Sequence, residues 1–172
     1  MKRQKAKFSY PLKPWARERL GQEKKLLAEY GLRRKHEIWR ATAILRNFRQ
    51  NARQLFVTKD KVAETLLLNK LVKLGLIRSD AKLDDVLALT TESILNRRLQ
   101  TVVARKGIAA TPLQARQFIV HGHIAVDGQR SRWPNMLVYV DDEQKITLCD
   151  KSKLKDWLNK PKAEPKIESK VE

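Results

Sequence analysis

Cysteine is almost absent from this sequence, which has Cys149 alone among its 172 residues. A single thiol cannot form an intramolecular disulfide, and cysteine-based zinc sites need several thiolates or a Cys and His set at fixed spacing. We therefore predict no metal and no cofactor. Cys149, in the stretch KITLC, is interpreted as a small buried side chain rather than a nucleophile, and a reducing cytosol suits such a chain.

Long apolar runs are absent as well. The longest uncharged stretches are far shorter than the roughly 20 apolar residues of a membrane-spanning helix. The first residues, MKRQKAKFSY, lack the apolar core of a signal peptide. No membrane partner is therefore expected.

Acidic residues are too few to balance the basic ones. The chain has 37 Lys and Arg against 19 Asp and Glu, a formal net charge of +18 at pH 7. The excess is greatest in residues 1–60, with 17 basic and 5 acidic side chains, and it vanishes in residues 141–172. Such a positive electrostatic field attracts polyanions, of which nucleic acid is the usual one. An anionic membrane surface is the weaker candidate, because the basic helices also have apolar faces that another domain can bury.

Helical periodicity predicts three helices after a basic N-terminal arm, MKRQKAKF. Their sequences are KPWARERLGQEKKLLAEYGL, KHEIWRATAILRNFRQNARQLF and TKDKVAETLLLNKLVKLGL. Thr58 is predicted to cap the third helix. Apolar residues cover most of that helix's circumference, so we expect it to be largely buried.

The second predicted helix has two distinct faces. Its apolar face predicts a core contact and comprises Ile38, Ala41, Leu45, Phe48, Ala52 and Leu55. A second stripe contains no acidic residue and consists of Arg46, Arg49 and Arg53. Because a solvated helix face usually mixes glutamate with arginine, this stripe favours contacts with phosphate.

The C-terminal half predicts two further helices and a small antiparallel sheet. Thr91 is expected to cap the first helix, which ends at Gly107, and Thr111-Pro112 begins the second helix, which ends at Gly122. Three strands follow in HIAVDGQR, LVYV and KITLC, with a tight turn at the Asp-Gly pair and an acidic turn, DDEQK, before the last strand.

These elements predict an α+β fold in two parts. Residues 1–94 would form the basic arm and a helical domain, and residues 95–158 a small module of two helices and an antiparallel sheet. Residues 159–172, NKPKAEPKIESKVE, are polar with balanced charge and are predicted to be a flexible tail.

The helices of the module place basic, amide and hydroxyl side chains opposite their apolar faces. On the first helix this polar surface comprises Arg97, Arg98, Thr101 and Arg105, and on the second Gln114, Gln117 and His121. Such groups suit phosphates, 2′-hydroxyls and base edges.

A catalytic role for this region is disfavoured. His121 and His123 lie two residues apart, unlike the i,i+4 pair of a metal-binding helix, and the nearest carboxylate is Asp127. The neighbouring residues supply no nucleophile, base and orienting group. Two interpretations of the histidines stay open, namely RNA contact and a purely structural role.

A series of motifs resembles the S-four RNA-binding domain, an αL-type module. They are NRRLQT, GIA, ARQFIVHGHI, VDGQ and WPNM. The N-terminal half adds YPLKPW, ERL, EYGLRRKHEIWR, LRNFRQNARQL and LDDVLAL, which resemble the archaeal and eukaryotic branch of the small-subunit ribosomal protein S-four family. The resemblance covers roughly residues 10–140, and Asn135 departs from the serine usual after the proline.

The resemblance implies a structural ribosomal protein and not an enzyme. Such a protein binds small-subunit rRNA first, nucleates assembly of the subunit body, and touches ribosomal protein S-five at an interface linked to decoding accuracy. It implies the cytoplasmic ribosome as location, and no homo-oligomer is expected. The bacterial branch often has a zinc-binding cysteine cluster, which this chain lacks.

The expected RNA-binding residues fall into three groups. Motif positions supply Arg97, Arg98, Gln100, Thr101, Gln114, Arg116, His123 and Gln129. Their neighbours in the module supply Arg105, Lys106, Gln117 and His121. The N-terminal half supplies Arg33, Arg34, Lys35, Arg46, Arg49 and Arg53.

Two alternative functions remain. An RNA-modifying enzyme could use the same module, but it would need a catalytic constellation that the rest of the chain does not supply. A general nucleic-acid-binding architectural protein could use the same charge, and it would show no preference for folded RNA.

Overall fold

The computed structural model of the chain describes residues 7–149 and residue 152. Within this part the chain forms helices α1 to α8 and strands β1 to β3. The helices are α1 Arg17–Glu29, α2 Lys35–Thr58, α3 Lys61–Lys73, α4 Leu83–Ala88, α5 Thr91–Asn96, α6 Leu99–Arg105, α7 Pro112–His121 and α8 Val140–Gln144. The strands are β1 Ile124–Val126, β2 Gln129–Ser131 and β3 Ile146–Leu148. The predicted tail and the first six residues of the arm lie outside the described residues.

The first hydrophobic cluster surrounds α2. Its buried residues on α2 are those predicted from the helical spacing, namely Ile38, Ala41, Leu45, Phe48 and Ala52, and Leu55 is partly buried against the same cluster. Helices α1, α3, α4 and α5 pack around this face. The prediction of an amphipathic second helix is therefore confirmed.

Helix α3 differs from its prediction in two ways. Thr58 is the last residue of α2, and Asp60 is the cap, accepting from the backbone N–H groups of Val62 and Ala63. Val62 and Leu66 are 70% and 66% exposed, so the expectation of a largely buried helix is wrong. The reason is that α3 packs on α2 and buries Leu67 and Leu71 in the first cluster, whereas Val62 and Leu66 face solvent.

The second hydrophobic cluster is formed by α6, α7 and the sheet. The sheet is antiparallel with strand order β2-β1-β3, and the turn between β1 and β2 has positive φ angles at Asp127 and Gly128, as predicted for an Asp-Gly hairpin. Thr111 caps α7 by accepting from the N–H of Gln114, and Gly122 ends it. The predicted α+β class is therefore confirmed.

Two predictions for the region around α5 and α6 are wrong. A single helix was expected across this region, but it breaks at Arg97 and Arg98. The stretch LVYV was expected to be a strand of the sheet, whereas the N–H of Val138 donates to the carbonyl of Arg97 and Leu137 forms an isolated bridge with Arg98. LVYV thus forms hydrogen bonds with backbone groups that the break in the helix leaves unpaired. The acidic stretch DDEQK, which was predicted to be a turn, forms most of α8.

Gly31 lies close against the start of α7, and its substitution should destabilise the fold. Its φ is +57°, and a Cβ atom there would lie 2.9 Å from Cβ of Pro112 at the start of α7. We expect Gly31→Ala to lower the free energy of unfolding by about 2 kcal/mol, from left-handed backbone strain and the close contact. Urea unfolding followed by circular dichroism measures the change.

Gly21 provides a matched control for this substitution. It lies inside α1, and a Cβ atom there would meet nothing within 4 Å. Gly21→Ala should therefore stabilise the protein by roughly 0.5–1 kcal/mol, because alanine loses less backbone entropy in a helix. Equal stability of the Gly31→Ala variant and the native chain would show that this contact is dispensable.

Candidate nucleic-acid interface

The carboxylate of Glu37, near the start of α2, binds two arginines, one just before α6 and one on α7. Arg116 on α7 donates to Oε1 at 2.9 Å and to Oε2 at 3.1 Å. Arg98, which precedes α6, donates to Oε2 and also to Asn135. Glu37 thus links α2, α6 and α7, and its negative charge is neutralised by arginines of the same protein.

The environment of Glu37 keeps it ionised. Burial alone would raise the pKa of this carboxyl, but the hydrogen bonds from Arg116 and Arg98, together with their charges, outweigh burial and hold the pKa below its usual range. Burial lowers the pKa of Arg98, although Glu37 opposes that shift. The guanidinium stays cationic because its ordinary pKa lies far above neutral pH.

Four residues of the NRRLQT motif make contacts within the protein. Gln100 is 1% exposed, and its Nε2 donates to the carbonyls of Tyr30, Gly31 and Pro112 at 2.9–3.1 Å. Arg98 is 4% exposed and is held by Glu37. Arg97, also buried, donates to Glu143 at 2.8 Å and to the carbonyl of Val138 at 3.1 Å. Thr101, half-buried, donates to the carbonyl of Leu95 at 2.8 Å.

The other residues expected to bind RNA are exposed or half-buried. The exposed ones are Arg33, Arg34, Arg46, Arg53, Arg105, Lys106, Gln117, His121 and Gln129. The half-buried ones are Lys35, Arg49, Gln114, Arg116 and His123. Some are engaged locally: Arg49 donates to the carbonyl of Leu89, and Gln114 accepts from the N–H of Ala110 at 2.9 Å.

The three arginines of the α2 stripe differ in their exposure. Arg46 is exposed and donates to the hydroxyl of Ser9 at 3.1 Å, while Arg49 is turned toward the protein. Arg53 is exposed and has no hydrogen bond or ion pair with any described residue. The stripe therefore offers two exposed guanidinium groups.

A surface pocket lined in part by Glu37 brings together basic residues from α2, from the segment just before it and from α7. We call it the basic cleft, and its lining residues are Phe8, Arg33, Arg34, His36, Glu37, Arg40, Arg116 and Asn135. Arg33, Arg34 and Arg40 are exposed and make no hydrogen bond or ion pair with another described side chain. Three cationic groups are thus available to an anionic ligand at one place.

Of the residues that line the cleft, only Arg33, Arg34 and Arg116 were predicted from the sequence to bind RNA. The five others are Phe8, His36, Glu37, Arg40 and Asn135. The density of basic residues in RRKHEIWR was a signal for His36 and Arg40. Phe8 had no such signal, because it reaches the cleft through ring contacts with residues about 30 positions away.

The two histidines of the module stand side by side. The rings of His121 and His123 stack with centroids 6.2 Å apart, and Nδ1 of His123 lies 3.0 Å from the hydroxyl of Ser152. Burial, together with the charges of His121 and Arg130, lowers the pKa of His123 and so favours its neutral form. Among the described residues no three His, Cys, Asp or Glu side chains lie together as a metal site.

Cys149 is half-buried rather than fully buried. In residues 7–149 and 152 there is no helix with the length and apolar character needed to cross a membrane.

Comparisons with known proteins agree with the geometry. A family model described as S4 domain matches residues 97–143, which extend from the break before α6 to α8. Proteins called small ribosomal subunit protein uS4 from Saccharolobus islandicus strains L.S.2.15, M.14.25 and M.16.27 are each 48% identical over 149 residues. The matched region covers 84% of this chain and 82% of each relative. By this identity and coverage, the chain belongs to the small ribosomal subunit protein uS4 family.

Proposed function

We propose that this chain is a structural protein of the small ribosomal subunit in the cytoplasmic ribosome and that it binds small-subunit rRNA. The observation on which this rests is the 48% identity to uS4 proteins over most of both chains. The formal charge of +18 and the exposed arginines of the basic cleft give the physical means. The role is structural, and no catalytic step is assigned to it.

The expected RNA-binding residues divide into two kinds in this proposal. The exposed ones, above all Arg33, Arg34, Arg46, Arg53 and Arg105, neutralise phosphates and supply most of the affinity. The buried ones, Arg97, Arg98 and Gln100, position the elements that present them. This division is supported by the internal hydrogen bonds that already occupy the buried groups.

We also propose that two domains act on one RNA, with residues 1–94 as the helical part and 95–158 as the S4-type part. The hydrophobic clusters separate between Leu95, which belongs to the first, and Leu99, which belongs to the second, and this supports a division close to that boundary. Early binding that nucleates the subunit body, contact with ribosomal protein S-five and an influence on decoding accuracy belong to the same proposal. The protein acts as one copy.

Competition binding tests the proposed function. The purified protein should retain a labelled, folded fragment of small-subunit rRNA on a filter in the presence of excess duplex DNA or unrelated tRNA. Affinity should fall by roughly a hundredfold between 50 mM and 200 mM salt, as expected for about four neutralised phosphates. Displacement of the rRNA by either competitor would mean that the protein binds any polyanion through its positive charge. An affinity independent of salt would exclude binding through neutralisation of phosphates.

A further inference from the structure

We propose that the basic cleft accommodates a single unpaired nucleotide of the rRNA, with its base stacked on the Phe8–His36 pair and its flanking phosphates on arginines of the cleft. This inference rests on the proposed function and specifies the ligand of one site. It adds Phe8, His36 and Arg40 to the RNA-binding residues.

The stacking surface is formed by two aromatic rings from different segments. Phe8 lies in the segment before α1 and His36 in the first turn of α2, and their rings stack with centroids 5.0 Å apart and an interplanar angle of 26°. Both side chains line the cleft, and His36 is exposed. Unpaired bases stack on such rings whatever their sequence, because every base has a π face.

Neighbouring rings hold this stacking pair in place. Tyr10 contacts both members, with centroids 5.4 Å from Phe8 and 5.9 Å from His36. Trp39 contacts both as well, at 6.0 Å and 5.0 Å, and its indole N–H donates to Glu23 at 2.9 Å. The platform is therefore ordered before a base arrives, which limits the entropy lost on binding.

The charge around the platform fits the phosphates of a nucleotide. Arg33, Arg34 and Arg40 are exposed without partners among the described side chains, so they can turn toward a ligand. Among the described residues that line the cleft, Glu37 is the only acid, and its carboxylate is bound by Arg98 and Arg116. Within residues 7–149 and 152, the cleft therefore has no unpaired acidic group to repel an anion.

The concave shape of this site favours an unpaired nucleotide over a helix. In a duplex the base faces are covered by their neighbours, and only the edges and backbone are accessible. A ring pair at the side of a cleft can contact the face of a base only when that base has left its stack. Duplex RNA would use the arginines alone.

Fluorescence of 2-aminopurine tests the stacking. The base is placed in turn at each unpaired adenine of the folded rRNA fragment, and native protein should quench it strongly at one position. Phe8→Leu and, separately, His36→Gln should abolish that quenching and weaken binding about tenfold, the loss expected for one base–aromatic stack. Arg40→Gln should weaken binding severalfold and lower the salt slope by about 0.7, as for one single-strand phosphate contact.

Matched controls lie elsewhere on the chain. Phe56 is an exposed ring at the far end of α2, about 30 Å from His36 at 1.5 Å per residue, and Phe56→Leu should leave the quenching unchanged. Arg78 is exposed outside the cleft, and Arg78→Gln should bind as the native chain does.

The outcomes separate the two proposals. Native selectivity for the rRNA fragment without quenching at any unpaired position, or quenching that persists in the Phe8→Leu and His36→Gln variants, would overturn the nucleotide site and leave the proposed function intact. Loss of the fragment to duplex DNA by the native protein would overturn the proposed function, and the nucleotide site with it.

Discussion

Replacement of Glu37 by glutamine is expected to lower the free energy of unfolding by about 3 kcal/mol. The amide leaves the buried guanidinium of Arg98 without its counter-charge and removes the two-point contact with Arg116. Breaking a buried ion pair from one side costs several kcal/mol because the remaining charge stays desolvated. Urea unfolding of the native chain and the variant at pH 7 measures this difference.

Asp127→Asn is the matched control for Glu37→Gln. Asp127 pairs with Lys145 at 3.4 Å on the surface, and asparagine tolerates the positive φ of this turn position. The control should change stability by less than about 1 kcal/mol, because exposed ion pairs contribute little. Similar effects of the two substitutions would mean that Glu37 is no more than a surface charge.

The contribution of Glu37 should also depend on pH. Its pKa is lower in the folded protein than in the unfolded chain, so its stabilisation is fully present above the unfolded pKa. As the pH falls through the folded pKa, the carboxylate is protonated and the stabilisation is lost. The difference between the native chain and Glu37→Gln should therefore shrink in acid, whereas a constant difference would contradict an ionic role.

Removal of the charges of Arg33 and Arg34 together should weaken binding to the rRNA fragment about 30- to 100-fold. These arginines have no partners among the described side chains, so their loss removes RNA contacts without disturbing the fold. At roughly 1.0–1.4 kcal/mol for each charge-assisted contact, the double substitution Arg33→Gln and Arg34→Gln gives the stated range. The slope of log affinity against log salt should decrease by about 1.4–1.8.

Lys24 and Lys25 provide the control for that double substitution. They are also an adjacent, exposed basic pair without partners among the described residues, on α1 and outside the basic cleft. Lys24→Gln with Lys25→Gln removes the same net charge and should weaken binding less than threefold. Equal losses from the two pairs would show that the total charge of the protein, rather than the cleft, sets its affinity.

Local signals predicted much of the secondary structure. Thr111 before Pro112, Gly122 after α7 and the Asp127-Gly128 pair all act where they were expected, because a cap or tight turn depends on residues a few positions apart. The core face of α2 was equally predictable, since one helical period repeats throughout it. The break before α6 had no such signal.

The burial of Arg97 and Arg98 could not be deduced from local signals. Arg97 and Arg98 were expected on a helix surface, but the helix breaks there because the stretch around Leu137 and Val138 supplies partners for the freed backbone. That stretch lies about 40 residues further along the chain. Helical periodicity describes only neighbours within a few turns, so it could not indicate this pairing.

The sequence by itself determined the preference for a polyanion, the α+β class and some local features, namely the Thr111 cap, the helix end at Gly122 and the Asp127-Gly128 turn. Net charge is a sum over residues, and caps and turns are local, so neither requires knowledge of distant contacts. Only the tertiary structure decided which arginines remain free for RNA. Arg98 and Arg116 are taken by Glu37, which is 61 and 79 residues away, while Arg33, Arg34 and Arg40 stay exposed. A buried cation requires an anion that the fold brings beside it, and only the folded chain shows where such pairs form.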